Sequence, residues 1–158
     1  MPKNLFQEII FTIIMVFFMV YAMICYNISL AKGGLTNQVF IEAFHELIIM
    51  GPIAFVLDML IAGPLAKKIT FKIFNPQKDN PVWITLSISA CSIWFMCPLM
   101  SLAASIIFKG GFNKDLPSIW IQTTVLNYPM AALWQFLFAG PVVRKIFKLI
   151  FGRVNRKN

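Results

Sequence analysis

The 158-residue chain is 59% hydrophobic and only 13% charged, with a mean hydropathy of +0.76 and a net charge of +8. Soluble domains carry about 25% charged residues, and a chain this short cannot surround four long apolar runs, so a soluble globular fold is excluded. The positive charge lies beyond the ends of those runs rather than in a patch of its own, which excludes a nucleic-acid footprint.

Residues 9–31, 80–108 and 116–143 contain no charge, and 47–66 contains only Asp58. Each run reaches the roughly 20 apolar residues needed to cross a bilayer. The expected fold is therefore all-α, an integral membrane protein with four transmembrane helices. Helix 1 is expected from about Leu5 to Ala31, ending at Lys32-Gly33-Gly34, where glycine closes a helix in the left-handed conformation. Lys3 precedes it as in a signal peptide, but the run is too long and lacks a small-x-small cleavage site, so it should stay as a membrane helix. Tyr21, Tyr26 and Asn27 gather near its far end, and the Asn27-Ile28-Ser29 sequon sits too close to the membrane to be an acceptor.

Thr36 or Asn37 can cap helix 2, which should run to about Phe74. Pro52 and Pro64 each follow a glycine inside it and are expected to bend or break it. After Pro64 the lysines of the KKITFKIF segment interleave with apolar residues, a pattern expected to turn and lie along the membrane surface. A polar linker, Asn75 to Pro81, leads to helix 3, about Val82 to Phe108. Its many serines and alanines should bury it more deeply than helix 1, with a bend at Cys97-Pro98. Pro117 opens helix 4, which repeats the two-proline design and ends in a second basic segment.

That repetition organises the chain. Gly51–Phe74 returns as Tyr128–Phe151 at a shift of 77 residues, with Pro52, Ala54, Leu60, Ala62-Gly63-Pro64 and Lys68-Ile69 recurring as Pro129, Ala131, Leu137, Ala139-Gly140-Pro141 and Lys145-Ile146. The same shift lays Lys32-Gly33-Gly34 on Lys109-Gly110-Gly111. Residues 1–75 are thus expected to form one helical hairpin, 76–81 a linker, and 82–158 a second hairpin with a basic tail. Two such units of the same orientation are related by a pseudo-twofold axis along the membrane normal. Eleven of the 14 lysines and arginines fall at the ends shared by the termini and the linker, and three (Lys32, Lys109, Lys114) at the other ends. Positive charge marks the cytoplasmic side. Both termini and the linker are expected there.

The paired hairpins, the GGLTNQVF turn and the GP…AGPLAKK pattern resemble the bacterial membrane proteins of the domain of unknown function 2798 family. The resemblance covers essentially the whole chain. It implies a duplicated two-helix membrane fold in the inner membrane of a bacterium, and carries no activity and no site residues.

Asp58 is the sharpest chemical candidate. It lies nine residues before Lys67, so roughly 13 Å into the membrane at 1.5 Å per residue. An ionisable group at that depth is by default a functional-site hypothesis. Its helix face is Ala54-Asp58-Ala62, and the repeat equivalent is Ala131-Gln135-Ala139. These two stripes are expected to meet across the axis, with Asp58 opposite Gln135. The plainer reading of the pair is a hydrogen bond gluing helix 2 to helix 4.

Glu42, His45 and Glu46 form an outer acidic patch, pointing about 120–160° away from Asp58 on an ideal helix. Their E-x-x-H spacing is half of a di-iron motif, but the chain holds no other histidine and the repeat equivalents are Ile119, Gln122 and Thr123, so no metal site is expected. Asn127 and Gln122 either line a cavity or bond across helices. Cys25, Cys91 and Cys97 fall inside apolar runs as packing residues. No nucleophile–base pair, phosphate loop or cofactor motif is present, and an enzyme is not expected.

Two readings of function stand. One is transport or permeation of a small solute or ion, in which four helices make a thin wall and a homodimer would be favoured. The other is a non-transporting module that assembles in the bilayer with itself or a partner. The transport reading gains from a buried carboxylate, since an amide would serve packing alone.

Overall fold

The computed structural model describes residues 4–75, 77–108, 110 and 112–151. Lys3, Pro76, Lys109, Gly111 and the basic tail 152–158, all invoked above, lie outside the described residues. The chain is all-α, in four long helices. The first is α1, Leu5–Lys32; the second joins α2 (Asn37–Leu57), a π-helical segment π1 (Asp58–Ala62) and α3 (Gly63–Ile73). The third is α4, Pro81–Phe108; the fourth joins α5 (Leu116–Trp134), π2 (Gln135–Ala139) and α6 (Gly140–Phe151). Among the described residues the first three long helices are long and apolar enough to cross a membrane. The fourth is diluted by Gln122, Asn127 and Gln135.

The first turn forms as its glycines dictate. Gly33 takes φ 75°, and Gly34 N–H donates back to Ser29 O at 2.9 Å. Two ion pairs then lash the first hairpin at its two ends, Lys32 with Glu42 and Lys67 with Glu8. They lie 24 residues apart along α1, roughly 36 Å at 1.5 Å per residue, enough to bracket a hydrocarbon core of about 30 Å. Between them the outward faces carry exposed Ile13, Phe17, Ile48, Val56, Trp94, Val125 and Leu133. A water-soluble monomer rarely exposes contiguous apolar surface on this scale.

The two halves are built alike. The buried line of α1 is Thr12, Val16, Val20, Ile24 and Ile28, and that of α4 is Ser89, Ile93, Cys97, Ser101 and Ser105, each 77 positions on. The small residues of α4 do not bury it more deeply than α1, contrary to expectation: each helix presents one line of four-residue steps to the bundle. Helix pairs within each half pack most extensively. Between halves, α3 and π1 pack on α4, while α5, π2 and α6 pack on α1. Each two-part helix therefore leans on the first helix of the other half, and the two lie diagonally across the bundle. Trp134 Nε1 donates to Phe18 O at 3.2 Å and Tyr26 OH to Leu126 O at 3.3 Å, bonds that tie the halves together.

The prolines do not break the helices. α2 runs through Pro52, α4 through Pro98 and α5 through Pro129. Ahead of Pro64 and Pro141 the helix instead admits one extra residue as a π turn, and α3 continues in the bundle along α4 rather than turning away. The reason lies in a line of four-residue steps. Glu46, Met50, Ala54, Asp58, Ala62, Ala66 and Thr70 all face inward, as do their mates Thr123, Asn127, Ala131, Gln135, Ala139, Val143 and Phe147. At about 100° per residue, each four-residue step drifts about 40°, so six steps would carry an unbroken α-helix about 240° off its face. One inserted residue returns about 100° of that drift.

Candidate functional site

Each π turn is closed by a glycine. Gly63 N–H donates to Asp58 O and Gly140 N–H to Gln135 O, five residues back. A Cβ on Gly63 would stand 2.8 Å from Asp58 O, and one on Gly140 2.7 Å from Gln135 O, so the turn accepts no other residue without moving. The proline that follows each glycine has no N–H to offer the preceding turn. The Ala-Gly-Pro repeats at 62–64 and 139–141 are thus π-turn closures, and Asp58 and Gln135 are the first residues of the two turns.

Both residues line a central cavity of about 610 Å³ to which all four long helices contribute. Gln135 is buried and Asp58 half-buried, so Asp58 borders open space rather than being sealed in packing, a correction to the sequence-based picture of a buried acid. No hydrogen bond joins the two side chains: they share a cavity instead of gluing two helices together. Asn127 is also on the wall, 5% exposed, with Nδ2 donating to Ser101 Oγ at 3.4 Å and Oδ1 buried without a partner.

The outer cluster divides. Glu46 lines the same cavity as Asp58, against the helical-wheel expectation, because the ridge of i+4 steps runs obliquely along a helix and keeps residues twelve positions apart on one wall. Glu42 is turned to Lys32, and His45 is exposed with Nδ1 3.1 Å from Ile41 O. Gln122 is exposed and away from the cavity. Among the described residues no group of three or more His, Cys, Asp or Glu side chains converges as a metal site.

Several cavity residues were not singled out from the sequence. Asn27, read above only as a residue near the far end of helix 1 and of a sequon, is turned inward, donating to Met23 O at 2.9 Å. Glu8 and Lys67 meet at the end of the cavity nearest the N-terminus, where Arg144 and Lys148 of α6 also line it. Arg144 Nε is buried without a hydrogen-bond partner. The signal for these was available: Arg144 is the repeat mate of Lys67, at a position where a cation already faces inward.

No solved structure matches the chain. It is 33% identical over 150 residues to the uncharacterised protein YybC of Bacillus subtilis (strain 168), covering 93% of this chain and 92% of that one. Residues 4–74 and residues 84–151 match a family described only as a domain of unknown function, one segment for each hairpin. The chain therefore belongs to the domain of unknown function 2798 family, as a polytopic membrane protein whose two-segment match follows the repeat in its fold.

Proposed function

We propose that this protein passes a small charged or polar solute across the bilayer, with the central cavity as its binding place. The observation that carries this reading is Asp58, a half-buried carboxylate on a cavity lined from all four long helices. An ionisable side chain at such depth is costly, and transmembrane examples mark solute and ion pathways. Packing alone would be served by an amide, as the equivalent Gln135 illustrates. Basic residues crowd the ends shared by the termini and the linker, so these are assigned to the cytoplasmic side of a bacterial inner membrane. One copy of the chain suffices to line the cavity; a homodimer is a separate proposal, tested by the protein's mass in detergent.

The deciding experiment compares Asp58→Asn and Asp58→Leu with the parent chain, in folding and in solute flux into liposomes. Asp58→Asn keeps size and polarity while removing the charge. A folded Asp58→Asn chain without flux supports passage. If neither the folded parent chain nor Asp58→Asn carries flux above that of protein-free liposomes, the passage reading fails and assembly is the better account; full flux in Asp58→Asn would leave passage without a role for the carboxylate.

A further inference from the structure

A proton or a bare metal ion needs almost no room, yet the space between the helices is about 610 Å³. That lies within the roughly 300–1,000 Å³ of pockets that take organic ligands. The lining is unusual in kind. Seven of the chain's nine methionines face it, with Met15, Met19 and Met23 on one i+4 line of α1 and Met96 with Met100 on α4. Unbranched thioethers rearrange around ligands of differing shape and recur at promiscuous binding surfaces. Phe11, Phe71 and Phe147 add aromatic wall. Thioethers also suit soft metal ions, but such an ion would call for neither this volume nor a carboxylate.

The charges on the wall are sorted by position. Glu8 is occupied by Lys67. Among the described residues Glu46 and Asp58 form no ion pair and face the apolar interior, while Arg144 and Lys148, likewise without one there, stand on α6. These two cations are nine and thirteen residues beyond the start of π2, roughly 13–20 Å along the helix from Gln135. An anion would be held at that end and repelled from the interior. A cation with an apolar body gains from both the methionine wall and the unpaired acids.

We propose that the cavity is a binding site for lipophilic organic cations, with Asp58 facing the positive charge, Glu46 adding negative field from roughly 18 Å farther along the helix, and the methionines enclosing the apolar body. This assignment deepens the solute-passage reading and rests on the same site. The probe is tetraphenylphosphonium, titrated into the purified full-length chain in detergent against chain-free micelles. Its control is tetraphenylborate, of nearly the same shape and opposite charge. The expected result is saturable binding of the cation, at least tenfold weaker binding of the anion, and at least a tenfold loss of cation affinity in Asp58→Asn that Asp58→Glu does not show. Thermal unfolding checks that each variant folds, and Glu46→Gln carries the same comparison if Asp58→Asn does not.

Equal or tighter binding of tetraphenylborate overturns the assignment, as does cation binding indifferent to Asp58→Asn and Glu46→Gln together. Asp58-dependent flux of rubidium ions without tetraphenylphosphonium binding overturns it while leaving passage intact. Tetraphenylphosphonium binding without flux upholds it and removes passage.

Discussion

Replacing Gly63 or Gly140 by alanine tests whether the π turns are built into the fold. The new Cβ would lie 2.8 Å from Asp58 O or 2.7 Å from Gln135 O, well inside ordinary van der Waals contact. Each crowded oxygen is the acceptor that closes the turn, so it cannot retreat without losing the bond from the glycine N–H. Overpacking costs about 1–3 kcal/mol, and a hydrogen bond inside a membrane protein adds about 0.6 to at most 2, giving roughly 2–5 kcal/mol for either substitution. Gly51→Ala is the matched control. It too precedes a proline, so the crowding that proline imposes on its predecessor is common to all three sites. Its Cβ would meet only Leu47 Cδ1 at 3.8 Å, an ordinary contact. Alanine is there the better helix former, by about 0.5–1 kcal/mol. Unfolding of the three variants in the same detergent should place Gly63→Ala and Gly140→Ala at least about 2 kcal/mol below Gly51→Ala, the lower bound of the estimate above. If all three agree within about 0.5 kcal/mol, the range of an unremarkable substitution, the glycines do not close the turns and the reasoning fails.

Other expectations follow from the same geometry. Glu8→Gln should cost less than about 1 kcal/mol, because its ion pair with Lys67 is more than a third exposed; a loss of several kcal/mol on unfolding would mean that the pair, not the helix packing, holds the hairpin. Asn127→Met copies the repeat mate Met50 and removes a buried acceptor without a partner; melting in detergent should show equal or higher stability, while solute binding falls. In a background lacking Cys25, Cys91 and Cys97, Lys32→Cys or Lys114→Cys should react with an impermeant thiol reagent added to intact cells, and labelling only after lysis would reverse the topology.

The four helices and their duplication were legible in the sequence because both are one-dimensional signals: charge-free runs long enough to span, and a segment that recurs at a fixed shift. Gly33 was legible for a similar reason, since a helix end needing positive φ leaves glycine in the text. The π turns were not read, although their trace was present. From Glu46 to Thr70 every fourth position except Met50 is small or polar, a line that cannot stay on one face of an uninterrupted α-helix, and the Ala-Gly-Pro closures sit where the correction is made. Of the two outcomes expected of those prolines, a bend or a break, the break does not occur: the helix continues past both as α3 and α6. The half-burial of Asp58 was beyond the sequence for a different reason. A cavity is a property of how four helices stand apart, and no single helix face encodes it.

The differences between the halves say where the chemistry resides. Backbone geometry is held in common: the same helix bounds within two residues, the same π turns, the same inward lines. The polar groups placed on that geometry are not. Where the first half carries Glu8, Glu46 and Asp58, the second carries Thr85, Thr123 and Gln135; where the first carries Met50, the second carries Asn127. A bundle serving only to pack could satisfy both copies with the same neutral residues, because the steric demands at equivalent positions are alike. Instead all three cavity carboxylates come from one half, while the other contributes the guanidinium of Arg144 with an unpartnered nitrogen. Among the described residues the acids on the wall thus come from one half, while the cations come from both, Lys67 from the first and Arg144 with Lys148 from the second. That one-sided placement of the acids makes Asp58, rather than any feature common to both halves, the residue on which the functional question turns.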